Sequence, residues 1–216
     1  MNNYYFPGCK YKAHNPEGSE RLARYLNERF GIIVMDCCSV GFDTPAEEDT
    51  VFFQCPTCGL ILHDSGSQRR LRSVYRLLSE DDRFPWPDHS GRQMTLQDCW
   101  RSREDDDYLQ AVRDVLAKMN IHPLELPNCR EKADFCGATL YRVPSGRYHR
   151  LAPVSLVEKA CFDPQPEEVQ QQLMKEHGKL YRSEDVLCYC TGCLEGIRMA
   201  GHTPVHVLDL ITDALR

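Results

Sequence analysis

Short apolar runs and amphipathic stretches alternate along the chain, and the same order of elements occurs twice. In the first part, apolar runs at 3–8, 32–35 and 51–53 predict three strands. The run at 32–35, Ile-Ile-Val-Met, is typical of a buried parallel strand. Apolar side chains at helical spacing predict helices over 18–30 and 66–79. The first part is therefore expected to alternate strands and helices.

The second part of the chain has a similar pattern. Its predicted strands are 93–97, 121–126 and 185–187, and its predicted helices are 106–120, 167–176 and 204–215. Acidic residues at 104–107 are favourable at the start of a helix, because they interact with the helix dipole. The charged, proline-containing stretch 80–91 has no periodicity and predicts a linker. We therefore expect two halves, at 1–88 and 89–216.

A repeated strand–helix–strand order predicts parallel strands joined by right-handed crossovers. The fold class expected is α/β, with two pseudo-repeated, Rossmann-like halves. In open sheets of this kind, ligands bind at the carboxyl ends of the strands. Chemistry-bearing residues that follow the predicted strands are therefore the first candidates for a site.

Cysteines follow the predicted strands of the first half in three clumps. They are a single cysteine, an adjacent pair and a C-x-x-C pair: Cys9, Cys37, Cys38, Cys55 and Cys58. Five thiols at one edge of a sheet are more than the four that tetrahedral zinc requires. Soft thiolates also hold iron–sulfur clusters, and this set favours a cluster.

The second half contains a similar but shorter set. It consists of Cys99, Cys136, Cys190 and Cys193. Phe135 stands where the first cysteine of an adjacent pair is expected. Three further cysteines remain, namely Cys129, Cys161 and Cys188. Each is interpreted either as a small buried hydrophobic residue or as a fifth ligand. Zinc and a second cluster both stay open for this half.

Two histidines require separate interpretation. His63 lies near the first C-x-x-C and is the one histidine considered as a candidate cluster ligand. His206 opens an apolar helical stretch and is interpreted as a packing or cap residue rather than a ligand.

Composition and charge narrow the class of protein. The chain has 216 residues, 42% of them hydrophobic, and a net charge of −6. An acidic chain of this kind argues against a nucleic-acid partner. No apolar run approaches the ~20 residues needed to span a bilayer, and the N-terminus lacks a signal-peptide pattern. A cytoplasmic protein is expected, in which 12 cysteines indicate metal or redox chemistry rather than disulfides.

Three functions fit these observations. The first is an iron–sulfur redox protein that acts on thiols or disulfides, and the five-cysteine set favours it. The second is a non-catalytic zinc module for the structure or assembly of a redox complex, and the shorter second set favours it. The third is a metal-free thiol enzyme that uses Cys55 and Cys58. It leaves the adjacent pair unexplained.

The motifs resemble those of a known family. YYFPGC, DCCS and QCPTC are similar to the first copy of the motif in the cysteine-rich CCG-domain proteins, and QDCW, DFCG and CYCTGC are similar to the second. This type of domain is found in the B subunit of heterodisulfide reductase. The chain departs from the family pattern at Ser39, which replaces a glycine, at Phe135, and in a shorter gap before Cys55.

The resemblance implies an oxidoreductase subunit that acts in electron transfer to, or reduction of, a disulfide or thiol substrate. It implies that the first-half set, Cys9, Cys37, Cys38, Cys55 and Cys58, holds a noncubane [4Fe–4S] cluster. The second half is expected to hold a further [4Fe–4S] cluster, zinc or nothing. Because the chain has no flavin or nicotinamide motif, electrons are expected from a partner flavoprotein or ferredoxin-like subunit.

Overall fold

The computed structural model describes residues 2–36, 38, 46–65 and 70–215. Two four-stranded sheets form its framework. The strands are β1 Asn3–Phe6, β2 Ile33–Val34, β3 Thr50–Phe53, β4 Arg70–Ser73, β5 Arg92–Gln97, β6 Ile121–Glu125, β7 Asp185–Cys188 and β8 Thr203–His206. The helices are α1 Cys9–His14, α2 Pro16–Phe30, α3 Pro56–Asp64, α4 Val74–Ser79, α5 Asp106–Lys118, α6 Gly146–Leu151, α7 Glu167–Gly178, α8 Thr191–Met199 and α9 Val207–Asp213.

The two sheets have the same topology. The strand orders are β2-β1-β3-β4 and β6-β5-β7-β8, and every strand pair is parallel. The first strand of each half is therefore second in its sheet and lies between the second and third strands of its half. This confirms the expected α/β fold with two Rossmann-like halves.

Each half contains a strand where the sequence pattern predicted helix. The helices predicted over 66–79 and 204–215 are wrong at their starts, because β4 and β8 occupy Arg70–Ser73 and Thr203–His206. Each strand leads directly into a helix, and its last residue is the N-cap of that helix. In the sequence, the apolar positions of β4 and β8 therefore run on into the helical spacing of the helix that follows, with no residue that marks the boundary. Residues 66–69 of the first prediction lie outside the described residues.

The predicted strand at 32–35 is parallel but is not buried. β2 has two residues, Ile33 and Val34, and both are exposed. It lies at the edge of its sheet, where β1 is its one partner in the part of the chain that the structure describes. Ile32, which precedes it, is fully buried.

Helices α2 and α5 form where the sequence pattern predicted helices. Capping residues mark both ends of α2 and the start of α5. The Asn15 side chain accepts a hydrogen bond from Gly18 N, and Gly31 takes a left-handed conformation at the end of α2. Asp105 accepts from Tyr108 N at the start of α5, at 2.9 Å. The acidic run at 104–107 therefore lies at a helix N-terminus, as predicted.

The two halves share one apolar core and pack through their helices. Buried residues of both sheets belong to a single cluster. Helix α4 packs on α5, where Arg76 forms ion pairs with Asp107 at 2.8 Å and with Asp114 at 2.6 Å. Helix α2 packs on α9. Residues 80–91 connect the halves without a helix or strand, and the boundary near residue 88 stays a prediction.

Among the helices that the structure describes, none combines the length and apolar character required to cross a bilayer.

Candidate metal and redox site

The cysteines lie where parallel strands end and helices begin. Cys9 starts α1 after β1, and Cys38 follows β2. Cys55 is the N-cap of α3 and Cys190 is the N-cap of α8, so Cys58 and Cys193 lie in the first turns of these helices. Cys99 follows β5 and precedes a 3₁₀ turn at Trp100–Ser102. Cys37 lies outside the described residues.

Four thiols of the second half form a compact, buried group. They are those of Cys99, Cys136, Cys190 and Cys193, whose Sγ atoms all lie within 4.8 Å of one another. The Sγ atoms of Cys136 and Cys190 are 3.8 Å apart. None of the four residues is more than 2% exposed. Soft metal ions and iron–sulfur clusters prefer such a donor set, so the group could hold a metal.

Glycines allow the second-half loops to approach closely enough for this convergence. A Cβ atom at Gly192 would lie 2.9 Å from Cys136 Sγ. Gly137 takes a left-handed conformation directly after Cys136 and contacts the backbone of Gly192 and Gly196. The glycine of the C-T-G-C sequence therefore makes room for a thiol from another loop.

A buried polar network fixes the backbone around Cys99. The Tyr189 hydroxyl accepts a hydrogen bond from Cys99 N at 3.0 Å and donates one to Asp98 Oδ1 at 2.9 Å. Asp98 also pairs with Arg113, at 2.6 Å from Nη2. Glu125 makes a second contact with the same guanidinium at 2.7 Å. Since Tyr189 immediately precedes Cys190, this network connects the loops that carry two of the four thiols.

A buried arginine lies against the four-thiol group. Arg101 donates a hydrogen bond from Nη1 to Cys136 Sγ. Its guanidinium carbon lies 5.2 Å from the ring centre of Trp100 and 5.6 Å from that of Tyr148. Burial alone would lower the pKa of Arg101, but its electrostatic interaction with Cys136 and Cys99 outweighs burial and raises it. The arginine therefore stays charged and stabilises thiolates beside it.

The thiols of this group differ in acidity. Hydrogen bonds from the thiols of Cys136, Cys193 and Cys99 lower the pKa of Cys190 well below that of an ordinary thiol. Burial raises the pKa values of Cys99 and Cys193. Cys190 is thus the thiolate to which the neighbouring thiols donate, an arrangement that favours binding of a metal cation.

Thiols of the first half also contact one another. The hydrogen bond from Cys58 lowers the pKa of Cys55, whereas hydrogen bonds with Cys38 and Cys55 raise the pKa of Cys58. Arg147, from helix α6 of the second half, places Nη1 at 3.8 Å from Cys9 Sγ and Nη2 at 3.7 Å from Cys38 Sγ. The second half therefore contributes a cation to the cysteines of the first.

Cys190 of the four-thiol group and the described cysteines of the first-half set face one small pocket with an accessible volume of about 40 Å³. The first half lines it with Gly8, Cys9, Lys10, Cys38, Cys55, Thr57 and Cys58, and the second half lines it with Arg101, Thr139, Arg147, Tyr148, Cys190, Thr191 and Gly192. The pocket therefore lies between the halves, at the carboxyl ends of strands from both sheets.

The three additional cysteines lie outside the four-thiol group. Cys188 is fully buried in β7, and burial raises its pKa, as expected for a small core residue. Cys129 is partly exposed and Cys161 is exposed. Phe135, in the place of a missing cysteine, stacks on His177 with ring centres 4.1 Å apart. It fills space in the core beside the group.

The two histidines have different positions. His63 is largely exposed, and its Nδ1 lies 3.3 Å from Asp64 Oδ1. It lines a separate cleft of about 410 Å³. His206 is buried, and its Nδ1 accepts a hydrogen bond from Leu208 N at the start of α9. The interpretation of His206 as a cap residue is therefore confirmed.

Sequence reasoning missed the two arginines at the pocket. Arg101 follows Cys99 by two residues, so a search for cations next to cysteine clumps would have found it. Arg147 lies in a segment with no clear periodicity, far in sequence from the cysteines that it contacts. Only the packing of α6 on the first half reveals its position.

The fold and site define an α/β protein with two parallel sheets and a buried group of four cysteines that could hold a metal. No protein-family model, curated protein or solved structure matches the chain.

Proposed function

We propose that this chain is an iron–sulfur redox protein of the heterodisulfide reductase B type, which delivers electrons to a thiol or disulfide substrate within a larger complex. The observation that carries the proposal is that thiols from both halves face one pocket. A small molecule in this pocket would contact candidate metal ligands of both halves. The paired motifs of the sequence support the same interpretation.

The residues around the first-half cysteines fit an iron–sulfur cluster. Their thiols are soft donors, and the Cys58 thiol contacts those of both Cys38 and Cys55. Among the described residues, no acceptor pairs with the buried Nε2 of Gln54, which lies beside Gly8. Cluster sulfurs accept hydrogen bonds from such donors, which tune the cluster's potential. Cys9, Cys38, Cys55 and Cys58 would hold the cluster, together with Cys37, which lies outside the described residues.

When bound, a [4Fe–4S] cluster supplies one-electron transfer. The residues of this chain would hold the thiolates, compensate their charge and limit access of water. Arg101 and Arg147 compensate charge on the two sides of the pocket. Reduction of a disulfide to two thiols takes two electrons and two protons. The electrons would come from a partner flavoprotein or ferredoxin-like subunit, and the protons from solvent.

The second-half group also supports the alternative of a zinc module. A tetrahedral ion with metal–sulfur bonds of ~2.3 Å places its thiolates about 3.8 Å apart. The Sγ atoms of Cys136 and Cys190 have this spacing, and the whole group lies within 4.8 Å. A four-iron cluster would require the thiols to move apart. We therefore assign a single ion, zinc in the first instance, to this group, whether or not the first half holds a cluster.

The test is a metal analysis of protein purified without oxygen. We expect about four irons with matching sulfide per chain, which is the composition of one [4Fe–4S] cluster, and one zinc. Cys9→Ser should lose iron and sulfide and keep zinc, whereas Cys193→Ser should lose zinc. Cys161→Ser, at an exposed cysteine outside the four-thiol group, is the matched control and should lose neither.

The other outcomes of the metal analysis distinguish the alternative functions. Zinc without sulfide, in protein never exposed to air, would contradict the redox proposal and support the zinc module. About eight irons would mean that the second-half group opens to hold a second cluster. Disulfide reduction by protein without any metal would instead favour a thiol enzyme that uses Cys55 and Cys58.

A further inference from the structure

A cleft of about 410 Å³ lies beside helix α3, and its described lining residues include no cysteine. Apolar side chains line it, among them Phe53, Leu60, Leu71 and Tyr108. The rings of Phe53 and Tyr108 stack, with their centres 5.9 Å apart. Small-molecule sites are typically clefts of roughly 300–1,000 Å³ with a mainly apolar wall and a few polar groups. The cleft therefore has the size and the wall of such a site.

A recess of about 20 Å³ adjoins the cleft, and Leu60, Arg101 and Lys159 line both. Trp100 also lines the recess. This tryptophan is 5% exposed, and its buried Nε1 has no acceptor among the described residues. A buried donor without an acceptor costs free energy. The recess has room for about one oxygen-sized group, and an acceptor oxygen there would remove this cost.

Arg101 places a positive charge at the same recess. Its guanidinium carbon lies 5.2 Å from the ring centre of Trp100, and the residue is 5% exposed. Nη1 donates to Cys136 Sγ, but no described residue provides an acceptor for Nε or Nη2, both of which are buried. A carboxylate accepts several hydrogen bonds and is favoured beside a guanidinium. The acceptor that complements Trp100 and Arg101 is therefore a carboxylate.

The rim of the cleft carries the opposite charge. Asp105 and Asp106 line it at the start of α5, and both are exposed. The neighbouring Glu104 pairs with Lys159 at 2.6 Å. Among the described residues, no cation forms an ion pair with the other two carboxylates. Because such carboxylates attract a cation, an ammonium group at the rim would complement them.

We propose that the cleft binds a zwitterionic amino acid with a large apolar side chain. The carboxylate of the ligand accepts hydrogen bonds from Trp100 Nε1 and from Arg101 in the recess. Its ammonium group faces Asp105 and Asp106 at the rim, and its side chain packs on the apolar wall that includes Phe53. The site is separate from the pocket that the cysteines face, so the inference does not rest on the proposed redox function.

The test compares L-phenylalanine with ligands that each lack one of its groups. Binding to the anaerobically purified chain is measured by calorimetry. Removal of the carboxylate, in 2-phenylethylamine, should weaken binding about tenfold, because charged hydrogen bonds are lost. Removal of the phenyl ring, in L-alanine, should weaken binding at least about tenfold, because apolar burial is lost. Removal of the ammonium group, in 3-phenylpropionate, should weaken binding about threefold to fivefold, as for an exposed ion pair.

Variants identify the residues that bind each group. Trp100→Phe keeps an aromatic ring and removes the Nε1 donor, so it should weaken L-phenylalanine binding about tenfold. Trp86→Phe is the matched control, because Trp86 lines neither the cleft nor the recess, and it should bind as the parent protein does. Since the chain has two tryptophans, Trp86→Phe also makes the fluorescence of Trp100 a second readout of binding.

At the rim, Asp106→Asn should weaken L-phenylalanine binding about threefold and should not weaken 3-phenylpropionate binding. Asp107→Asn is the control, because Asp107 is the next residue of α5 and does not line the cleft. It should bind both ligands as the parent protein does. If Trp100→Phe does not fold, Asp106→Asn and the series of ligands still decide the question.

Equal affinity for L-phenylalanine and 2-phenylethylamine, or normal binding by a folded Trp100→Phe, would overturn the inference and leave ordered water as the acceptor in the recess. Equal affinity for L-phenylalanine and 3-phenylpropionate would also overturn it, because the acidic rim would then contact no ammonium group. Iron and sulfide are measured on the same samples. Binding in the expected order by a chain without iron would support this site and contradict the redox proposal, so the two fail separately.

Discussion

Gly192, between the two cysteines of the second C-x-x-C, is the residue on which the geometry of the four-thiol group depends most directly. A Cβ atom there would lie 2.9 Å from Cys136 Sγ and 3.2 Å from Thr139 Oγ1. We expect Gly192→Ala to displace the Cys136 thiol, to lower metal affinity at least about tenfold and to cost about 1–3 kcal/mol of stability through overpacking. Competition with a chromogenic chelator measures the affinity.

The matched control for this substitution is Gly146→Ala, because a Cβ atom at Gly146 meets no atom of the described residues within 4 Å. Gly146→Ala should therefore bind metal as the parent protein does. Normal metal affinity in Gly192→Ala would show that the close approach of this loop to Cys136 is not needed for binding.

His206 should make stability depend on pH. Burial lowers its pKa from 6.5 to about 4, so the folded protein keeps the imidazole neutral where the unfolded chain protonates it. The unfolded state then binds more protons between pH 4 and 6.5, and stability falls as pH decreases through this window, by about 3 kcal/mol in total. Denaturant unfolding of the parent protein and His206→Asn across this range measures the difference.

Asn at position 206 can still accept a hydrogen bond at the start of α9, so the substitution removes the titration and keeps a cap. The free energy of unfolding of His206→Asn should depend less steeply on pH between 4 and 6.5. The exposed His149→Asn variant should keep the slope of the parent protein. Parallel curves for all three proteins would contradict the assignment to His206.

At the scale of elements, α4 depends on a cap at the point where β4 becomes a helix. Ser73 Oγ accepts a hydrogen bond from Arg76 N at 3.0 Å. Ser73→Ala should lower the free energy of unfolding by about 1 kcal/mol. Ser145, also an N-cap, makes no side-chain cap hydrogen bond among the described residues, so Ser145→Ala should change stability by less than about 0.5 kcal/mol. Urea unfolding gives both values, and equal values would argue against a role for the Ser73 cap.

The junctions at Ser73 and His206 also explain why sequence reasoning missed two strands. Helices α2 and α5 were predictable, because long amphipathic periods and caps mark them. In contrast, β4 and β8 have four residues each and continue directly into helices, so periodicity alone cannot separate them. Cys99, Cys190 and Cys193 were predictable from their positions after strands, and Cys136 from the repeat of the first-half cysteine pattern. Their compactness was not, since it depends on contacts between Gly137, Gly192 and Gly196.

At the scale of the whole molecule, the halves are expected to unfold together. The buried residues of both sheets form one cluster, and Tyr108 of α5 donates a hydrogen bond to Gln54 O, next to Cys55, at 2.5 Å. Asp64 of α3 accepts hydrogen bonds from the backbone and side chain of Ser155. Contacts of this kind couple the stability of each half to that of the other.

Metal binding by the second half should therefore stabilise the first half as well. Cys193→Ser removes one of the four thiols, and we expect it to lower the melting temperature of the entire chain in a single transition, since a bound metal stabilises only the folded state. Scanning calorimetry of the parent protein and the variant measures this, with Cys161→Ser as the control at an exposed cysteine. Two transitions in Cys193→Ser, one of them at the temperature of the parent protein, would show that the halves fold independently and that the pocket between them joins two separately stable units.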